Sequence, residues 1–215
     1  MSLQVMLRQL SQGMITSIEI FSLTLLFSLP IGLIISLGRL SKNKILSTII
    51  KFYISIMRGT PLMLQLLVVY FGPYYLFGMS ISGYRMYAVI IAFVLNYAAY
   101  FAEIYRGGIE SIPLGQYEAA KVLGYSRVQC FIKIILPQVI KRVLPPVTNE
   151  IITLIKDTSL AFAIAISEMF TVAKAIAASE KTMASFVAAG IFYYIFNFFV
   201  AYIMEFIEKK LSYYR

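Results

Sequence analysis

The sequence predicts an all-α membrane protein with five transmembrane helices, its N-terminus outside, and a helical cytoplasmic segment between spans 3 and 4. Three observations predict this. The 215 residues are 60% hydrophobic and only 13% charged, with a mean hydropathy of +0.81. Soluble domains carry about a quarter charged residues, so lipid is the solvent that suits this composition. Five apolar runs reach the roughly 20 residues that a helix needs to cross about 30 Å of hydrocarbon. Lysine and arginine, finally, are divided unevenly between the loops that join those runs, and that bias sets orientation.

The first run covers about 14–38, from Met14 through Pro30 to Gly38. It exceeds the apolar region of a signal peptide and has no small-residue cleavage site behind it. The second covers 52–79 and is broken by Arg58-Gly59-Thr60-Pro61; the third covers 86–105, the fourth 143–167 and the fifth 185–207, ending at Glu208-Lys209-Lys210. Residues 1–215 read as a single transmembrane domain, with no soluble domain, low-complexity tract or internal repeat. With the N-terminus outside, the inner side collects Arg39, Lys42, Lys44, Lys51 and Arg58 from the first loop and its flank. Arg106, Lys121, Arg127, Lys133, Lys141 and Arg142 join them from the second loop, and Lys209, Lys210 and Arg215 from the tail. Only Arg8, Arg85, Lys174 and Lys181 remain outside, and Lys156 falls within the fourth span.

Composition also excludes functions. The formal charge of +9 is spread over the ends of apolar runs instead of gathered on one soluble stripe, which argues against nucleic acid;. Cys130 is the single cysteine and there is no histidine, so an internal disulfide is impossible and no His/Cys metal site or Ser-His catalytic pair is expected;. No phosphate-binding loop of the Gly-x-x-x-x-Gly-Lys-Ser/Thr type occurs, so ATP is not bound here in that manner.

The segment 115–138, GQYEAAKVLGYSRVQCFIKIILPQ, is charged and helix-competent between two apolar spans. As a helix it brings Ala120, Leu123, Val128, Phe131, Ile132 and Ile135 within apolar reach, with Glu118, Lys121, Arg127 and Lys133 on other faces. Gly124 can take backbone angles that end one short helix and start another at an angle. Pro137 is expected to close the second, because helices seldom run through the residue before proline. On pattern alone this is either a projecting bent pair or an amphipathic hairpin on the inner leaflet.

The spacing Glu118-Ala119-Ala120, three residues, Gly124, nine residues, Ile134-x-Leu136-Pro137 resembles the cytoplasmic EAA loop of permease subunits in bacterial ATP-binding-cassette importers. Three further stretches, RGTPLMLQL (58–66), NYAAYFAEIYRGGIESIP (96–113) and LPPVTNEIITLIKDTSL (144–160), resemble the polar amino-acid uptake permeases within that family. The likeness covers nearly the whole chain. One departure is Tyr117, where the family often has tryptophan. The resemblance implies a type I importer architecture and a coupling helix, with Glu118, Ala119, Ala120, Gly124, Ile134, Leu136 and Pro137 forming a knob seated in a separate ATPase. It implies two permease subunits, identical or not, two ATPase subunits that bind ATP with Mg, and an extracytoplasmic substrate-binding protein. It also implies a bacterial cytoplasmic membrane, and no cofactor in this chain. The segment 167–183 reads by pattern as a surface helix, and by resemblance as a contact for the binding protein or an outer gate.

Charges within a bilayer cost at least about 2.5–3.5 kcal/mol at mid-depth, so each is a functional candidate. Asn96, Tyr100, Glu103 and Gly107 make one helical stripe on the third span; Glu150, Thr153 and Asp157 make a second on the fourth;. Lys156 stands about 100° round the helix from Asp157. Two roles fit these groups: hydrogen bonds that seal subunits together, or contact with substrate. In the second role the surplus of anions favours a cationic amino acid such as arginine, lysine or histidine. Gly59, Thr60 and Pro61 break the second span, either as a plain kink or as a hinge lining the path, since irregular backbone in a membrane must be buried in protein or face a wet cavity. The expected function is ATP-driven import of polar, basic amino acids. The alternative is a gradient-driven transporter using Glu103 and Asp157 as ion sites, a class that commonly shows internal repeats. An intramembrane enzyme is disfavoured by the lack of any nucleophile constellation.

Overall fold

The computed structural model describes residues 1–211, so Arg215, assigned above to the inner side, lies outside the described residues. Helix α1 (Leu3–Arg39) runs without interruption through Pro30. Helices α2 (Lys44–Gly59) and α3 (Leu62–Phe77) follow, then α4 (Arg85–Glu110) and the short α5 (Leu114–Val122) and α6 (Arg127–Cys130). A π-helical turn at Phe131–Ile135 leads into α7 (Leu136–Asp157), which tightens to a 3-10 helix at Thr158–Ile164. Helices α8 (Met169–Glu180) and α9 (Ala184–Lys210) complete the fold. The described residues contain no strand.

Helices α1, α4 and α9 are each long and apolar enough to cross a membrane. Two bent pairs meet the same standard jointly, which gives five spans if each pair is taken as one: α2 with α3, and 127–164 with α8. The α2–α3 break is far more than a kink, for the two helices meet at 109°. Its cause is local. Thr60 precedes proline and takes an extended conformation (φ −124°, ψ 149°), which no helix can continue through, and Pro61 then caps α3;.

Pro137 does not close a helix. It sits in the first turn of α7, where a missing N–H is harmless;. The π turn hands the chain over: the Leu136 N–H reaches back to the Phe131 carbonyl, so helical winding continues from Arg127 past the proline;. The apolar run 143–167 likewise ends its α-helix early, at Asp157, and bends by 58° before α8.

The core is built on α1 against α4. Small residues on α1 (Ser17, Thr24, Ser28, Gly32 and Ser36) are all buried and let the backbones approach closely;. A Cβ at Gly32 would stand 2.8 Å from Phe101 Cβ, and one at Gly13 2.9 Å from Met169 Cα, so both positions require glycine for clearance. The main apolar cluster joins Ile20, Phe21, Leu66, Phe93, Phe101, Ile151 and Leu154. A second cluster packs Met6, Leu10 and Met14 of α1 on Met169, Ala173 and Ile176, so α8 is docked into the bundle along one face instead of lying on its surface. Large apolar side chains on α9, including Tyr194, Phe198 and Tyr202, remain exposed, as lipid-facing positions do.

Candidate functional site

The α2–α3 break leaves carbonyls without helical partners, and two side chains supply the missing donors. Gln65 Nε2 donates to the carbonyls of Met57 (3.0 Å) and Thr60 (3.1 Å) and to Thr60 Oγ1 (2.7 Å). Asn96 Nδ2 donates to the Met57 carbonyl and to Gln65 Oε1, both at 2.9 Å. Thr60 Oγ1 in turn donates to the Ile56 carbonyl at 2.8 Å. Asn96 is buried, at 5% exposure, so its polar atoms serve the break. Gly59, Thr60 and Pro61 are exposed, and no heavy atom lies within 4 Å of where a Gly59 Cβ would stand.

Beside the break runs a ladder of charges. Arg106 clamps Glu103 with two parallel bonds, Nε to Oε1 at 3.0 Å and Nη2 to Oε2 at 2.7 Å. Its other nitrogen, Nη1, reaches Glu110. Arg58, at the end of α2, adds a longer contact of 3.8 Å to Glu103 and lies 5.2 Å above the centre of the Tyr100 ring. Glu103 is therefore neutralised within the chain, by a fork-to-fork geometry among the strongest that charged groups adopt.

Asp157 is held differently. Tyr97 donates its hydroxyl to Asp157 Oδ2 at 2.7 Å, and no cationic nitrogen lies within 4 Å of the carboxylate among the described residues. Lys156 is exposed and Asp157 half-buried, in keeping with their angular separation on α7. Thr153 is exposed, its hydroxyl donating to the Asn149 carbonyl of its own helix (2.9 Å), and Glu150 is half-buried. The fold thus brings Asn96, Tyr100 and Glu103 to the break, and places Asp157, Thr153 and Glu150 along the adjoining helix.

In the 115–138 segment, Gly124 takes a left-handed conformation (φ +77°) that reverses the chain after α5. The Tyr125 N–H closes the turn on the Ala120 carbonyl at 3.0 Å. Ser126 and Gln129 then form a reciprocal cap for α6;. Ala120 is buried with Ile112, Cys130, Ile135 and Val139, and Ile134 packs against that cluster. Leu136 and Pro137 are half-buried, whereas Glu118 and Ala119 face outward. The single apolar face read from the sequence divides here. Ala120 and Ile135 are buried and Phe131 half-buried, but Leu123, Val128 and Ile132 are exposed because the turn at Gly124 swings them away. Val122 and Leu123 form an apolar tip, 88% and 72% exposed, that nothing in the described chain covers.

Comparison with known proteins decides what kind of molecule carries this geometry. Residues 28–213 match the family of binding-protein-dependent transport system inner membrane components. The chain belongs to this family. A putative glutamine transport system permease protein of Rickettsia bellii is 36% identical over 93% of this chain and 91% of its own length. An arginine transport system permease protein of Bacillus subtilis is 35% identical over 94% and 91% respectively. Among solved structures, one described as an amino acid ABC transporter with histidines superposes with a TM-score of 0.87 at 28% identity, covering 98% of this chain and 99% of that one.

As a binding-protein-dependent permease the chain is a multi-pass membrane component and not an enzyme; the ATPase is a separate subunit. Four residues of the permease that pattern did not single out now matter: Gln65, Tyr97, Arg106 and Glu168. Gln65 and Tyr97 lie on apolar helices where spacing gives no hint of a distant partner. Arg106 was legible, standing three residues after Glu103, the spacing that stacks side chains on one helix face. Glu168 is fully buried and caps α8, accepting from the backbone N–H groups of Phe170 and Thr171 (both 2.7 Å), from Thr171 Oγ1 (2.8 Å) and from the Tyr193 hydroxyl (3.3 Å).

Proposed function

We propose that this chain is the membrane permease of an ATP-driven amino-acid importer in the bacterial cytoplasmic membrane. The observation that carries this is the match along 98% of the chain to an amino acid ABC transporter structure, at 28% identity. Two permease subunits enclose the path. Two ATPase subunits bind ATP with Mg and grip the 115–138 segments, and an extracytoplasmic binding protein delivers the substrate. The uncovered apolar tip at Val122–Leu123, and Glu118 with no bond of its own among the described residues, support the ATPase contact. An exposed carboxylate there can form a charge-assisted bond to a basic partner residue. ATP favours the closed ATPase pair, draws the two loops together and shifts the population toward the outward-open path.

The substrate is a polar amino acid with a cationic side chain, and the residue that supports this is Asp157. Glu103 is compensated by Arg106 and Arg58, so it adds little net negative charge to the path. Asp157 is half-buried, and among the described residues its one hydrogen-bond partner is a phenol, so a cation arriving beside it is stabilised. Relatives in this family are named for glutamine and for arginine, so cargo choice rests on individual side chains, and Asp157 is the one whose environment favours a cation. Uptake into proteoliposomes tests the whole reading. The expected result is accumulation of an amino acid only with the cognate ATPase, ATP and binding protein present. Accumulation on an ion gradient without ATP overturns it.

A further inference from the structure

At the end of the bundle opposite the 115–138 segment, α4 begins at Arg85. The 26 residues to Glu110 set this point roughly 39 Å from the loop at 1.5 Å per residue;. Beside it is a cavity of about 670 Å³ lined by Thr16, Tyr70, Ser82, Arg85, Ala165 and Ser167, among others. That volume lies within the roughly 300–1,000 Å³ of small-molecule sites. Four separate parts of the chain converge on it: α1, α3, the turn before α4, and the break between α7 and α8.

Among the described residues, Arg85 is the only charged group lining this cavity. Its Nε donates to the Tyr70 hydroxyl and its Nη1 to the Ala165 carbonyl, each at 3.4 Å. Those two bonds orient the guanidinium and leave its remaining N–H groups uncommitted. No carboxylate lies within 4 Å of it among the described residues. Ala165 accepts its bond from a left-handed conformation (φ 56°), uncommon for alanine, so the backbone is held in an unfavourable shape where the arginine meets it;. The outer-side arginine, read from sequence only as a count against the inner basic residues, thus stands as an uncompensated cation over a concave, hydroxyl-lined space.

We propose that Arg85 and this cavity form a carboxylate-binding subsite that takes the α-carboxylate of an amino acid at the entrance to the path. A guanidinium presents its donors as a planar fork that fits a carboxylate in two parallel bonds. The hydroxyls of Thr16, Ser82 and Ser167 accept from the ammonium group of the same zwitterion. The α-carboxylate is common to every amino acid, so the subsite recognises the class while Asp157, deeper in the molecule, discriminates side chains. This rests on the importer reading above, and the test separates the two.

Cysteine labelling in the assembled complex provides that test. In a Cys130→Ser background, Ser82→Cys and Ser167→Cys are each treated with a sulfonate-bearing and an ammonium-bearing methanethiosulfonate reagent. The subsite predicts labelling about five- to tenfold faster by the anionic reagent, the size of effect expected of one nearby uncompensated charge. Arg85→Gln erases the preference and Arg85→Lys retains it. A millimolar free amino acid protects the cysteine, and its α-amide does not. Lack of an anionic preference, indifference to Arg85→Gln, or equal protection by the amide overturns the proposal. Protection by the binding protein without its ligand, and not by free amino acid, also overturns it, and assigns the arginine to protein docking. ATP-dependent uptake measured on the same preparations keeps the outcomes apart. Absence of import for any amino acid counts against the importer reading, while import without carboxylate-dependent protection counts against the subsite alone.

Discussion

Glu103 and Asp157 are both carboxylates on helices long and apolar enough to take part in crossing a membrane, yet their neighbours assign them different work. Glu103 is clamped by Arg106 and touched by Arg58, whereas among the described residues Asp157 has a hydrogen bond from the Tyr97 hydroxyl and no ion pair. Asp157→Asn is therefore expected to lower uptake of lysine or arginine about tenfold or more, the effect of losing roughly 1.4 kcal/mol of charge pairing, and to spare any neutral amino acid carried. Competition uptake with paired cationic and neutral substrates measures this; an equal loss for both removes Asp157 from specificity. Asn96 shows the contrast between a polar residue that seals and one that selects. Its amide closes the α2–α3 break while buried, so Asn96→Ala strips Gln65 Oε1 of its donor and leaves the Met57 carbonyl to Gln65 alone, at about 1–2 kcal/mol;. That predicts a lowered melting temperature for the purified complex, by roughly 2–8 °C, with substrate selectivity unchanged. A selectivity change at native stability would instead place Asn96 on the path. The sequence marked Asn96 as a polar group in a span; it gave no sign of Gln65, because the need for a donor arises only once the helix has broken at Thr60.

At the scale of elements, most of the helices were legible because bilayer crossing demands long apolar runs, and α1, α4 and α9 supply them;. What stayed hidden were the changes of winding and direction. Pro137 reads as a stop, yet the π turn before it supplies a five-residue hydrogen-bond reach and lets the helix pass. The α2–α3 junction reads as a kink, and only the extended Thr60 shows that the chain turns through 109°. Gly124 is the opposite case, since a glycine between two short helical patterns signals the left-handed turn that the fold contains. No heavy atom lies within 4 Å of the position where its Cβ would stand, so substitution acts through backbone strain alone, about 1–2 kcal/mol at a turn;. Gly124→Asp is expected to leave the bundle folded and its melting temperature within a few degrees of the parent. ATP-dependent uptake, in contrast, is expected to fall severalfold or more as the Val122–Leu123 tip is redirected. Parallel uptake and thermal melts read this; unchanged transport in a variant whose turn has altered would detach the knob from coupling.

For the molecule as a whole, the prediction concerns which way it stands in the membrane. Orientation is not written in any helix, because the apolar runs look alike from both ends; it comes from the loops, where basic residues resist transfer across the bilayer. The fold carries that bias to two opposite ends. The 115–138 segment, with Lys121, Arg127 and Lys133 exposed, lies beyond the C-terminal end of α4, while Arg85 begins that helix some 26 residues earlier. Lys174 on α8 is exposed too, and stands outside in the same assignment. In intact cells that lack Cys130 and the ATPase subunit, so that the tip is uncovered, a membrane-impermeant maleimide should therefore label Lys174→Cys within minutes and leave Leu123→Cys untouched until the membrane is opened. Lys174→Cys gives up only the contact of the ammonium with the Phe162 ring, 5.4 Å from its centre, and Leu123 is exposed; a pull-down with the ATPase, co-expressed for that purpose, confirms that each variant still assembles. Labelling of Leu123→Cys from outside would invert the molecule. It would put the knob on the side without ATP, and the arginine cavity on the side where no binding protein can reach it, so the coupling reading and the subsite at Arg85 would fall together.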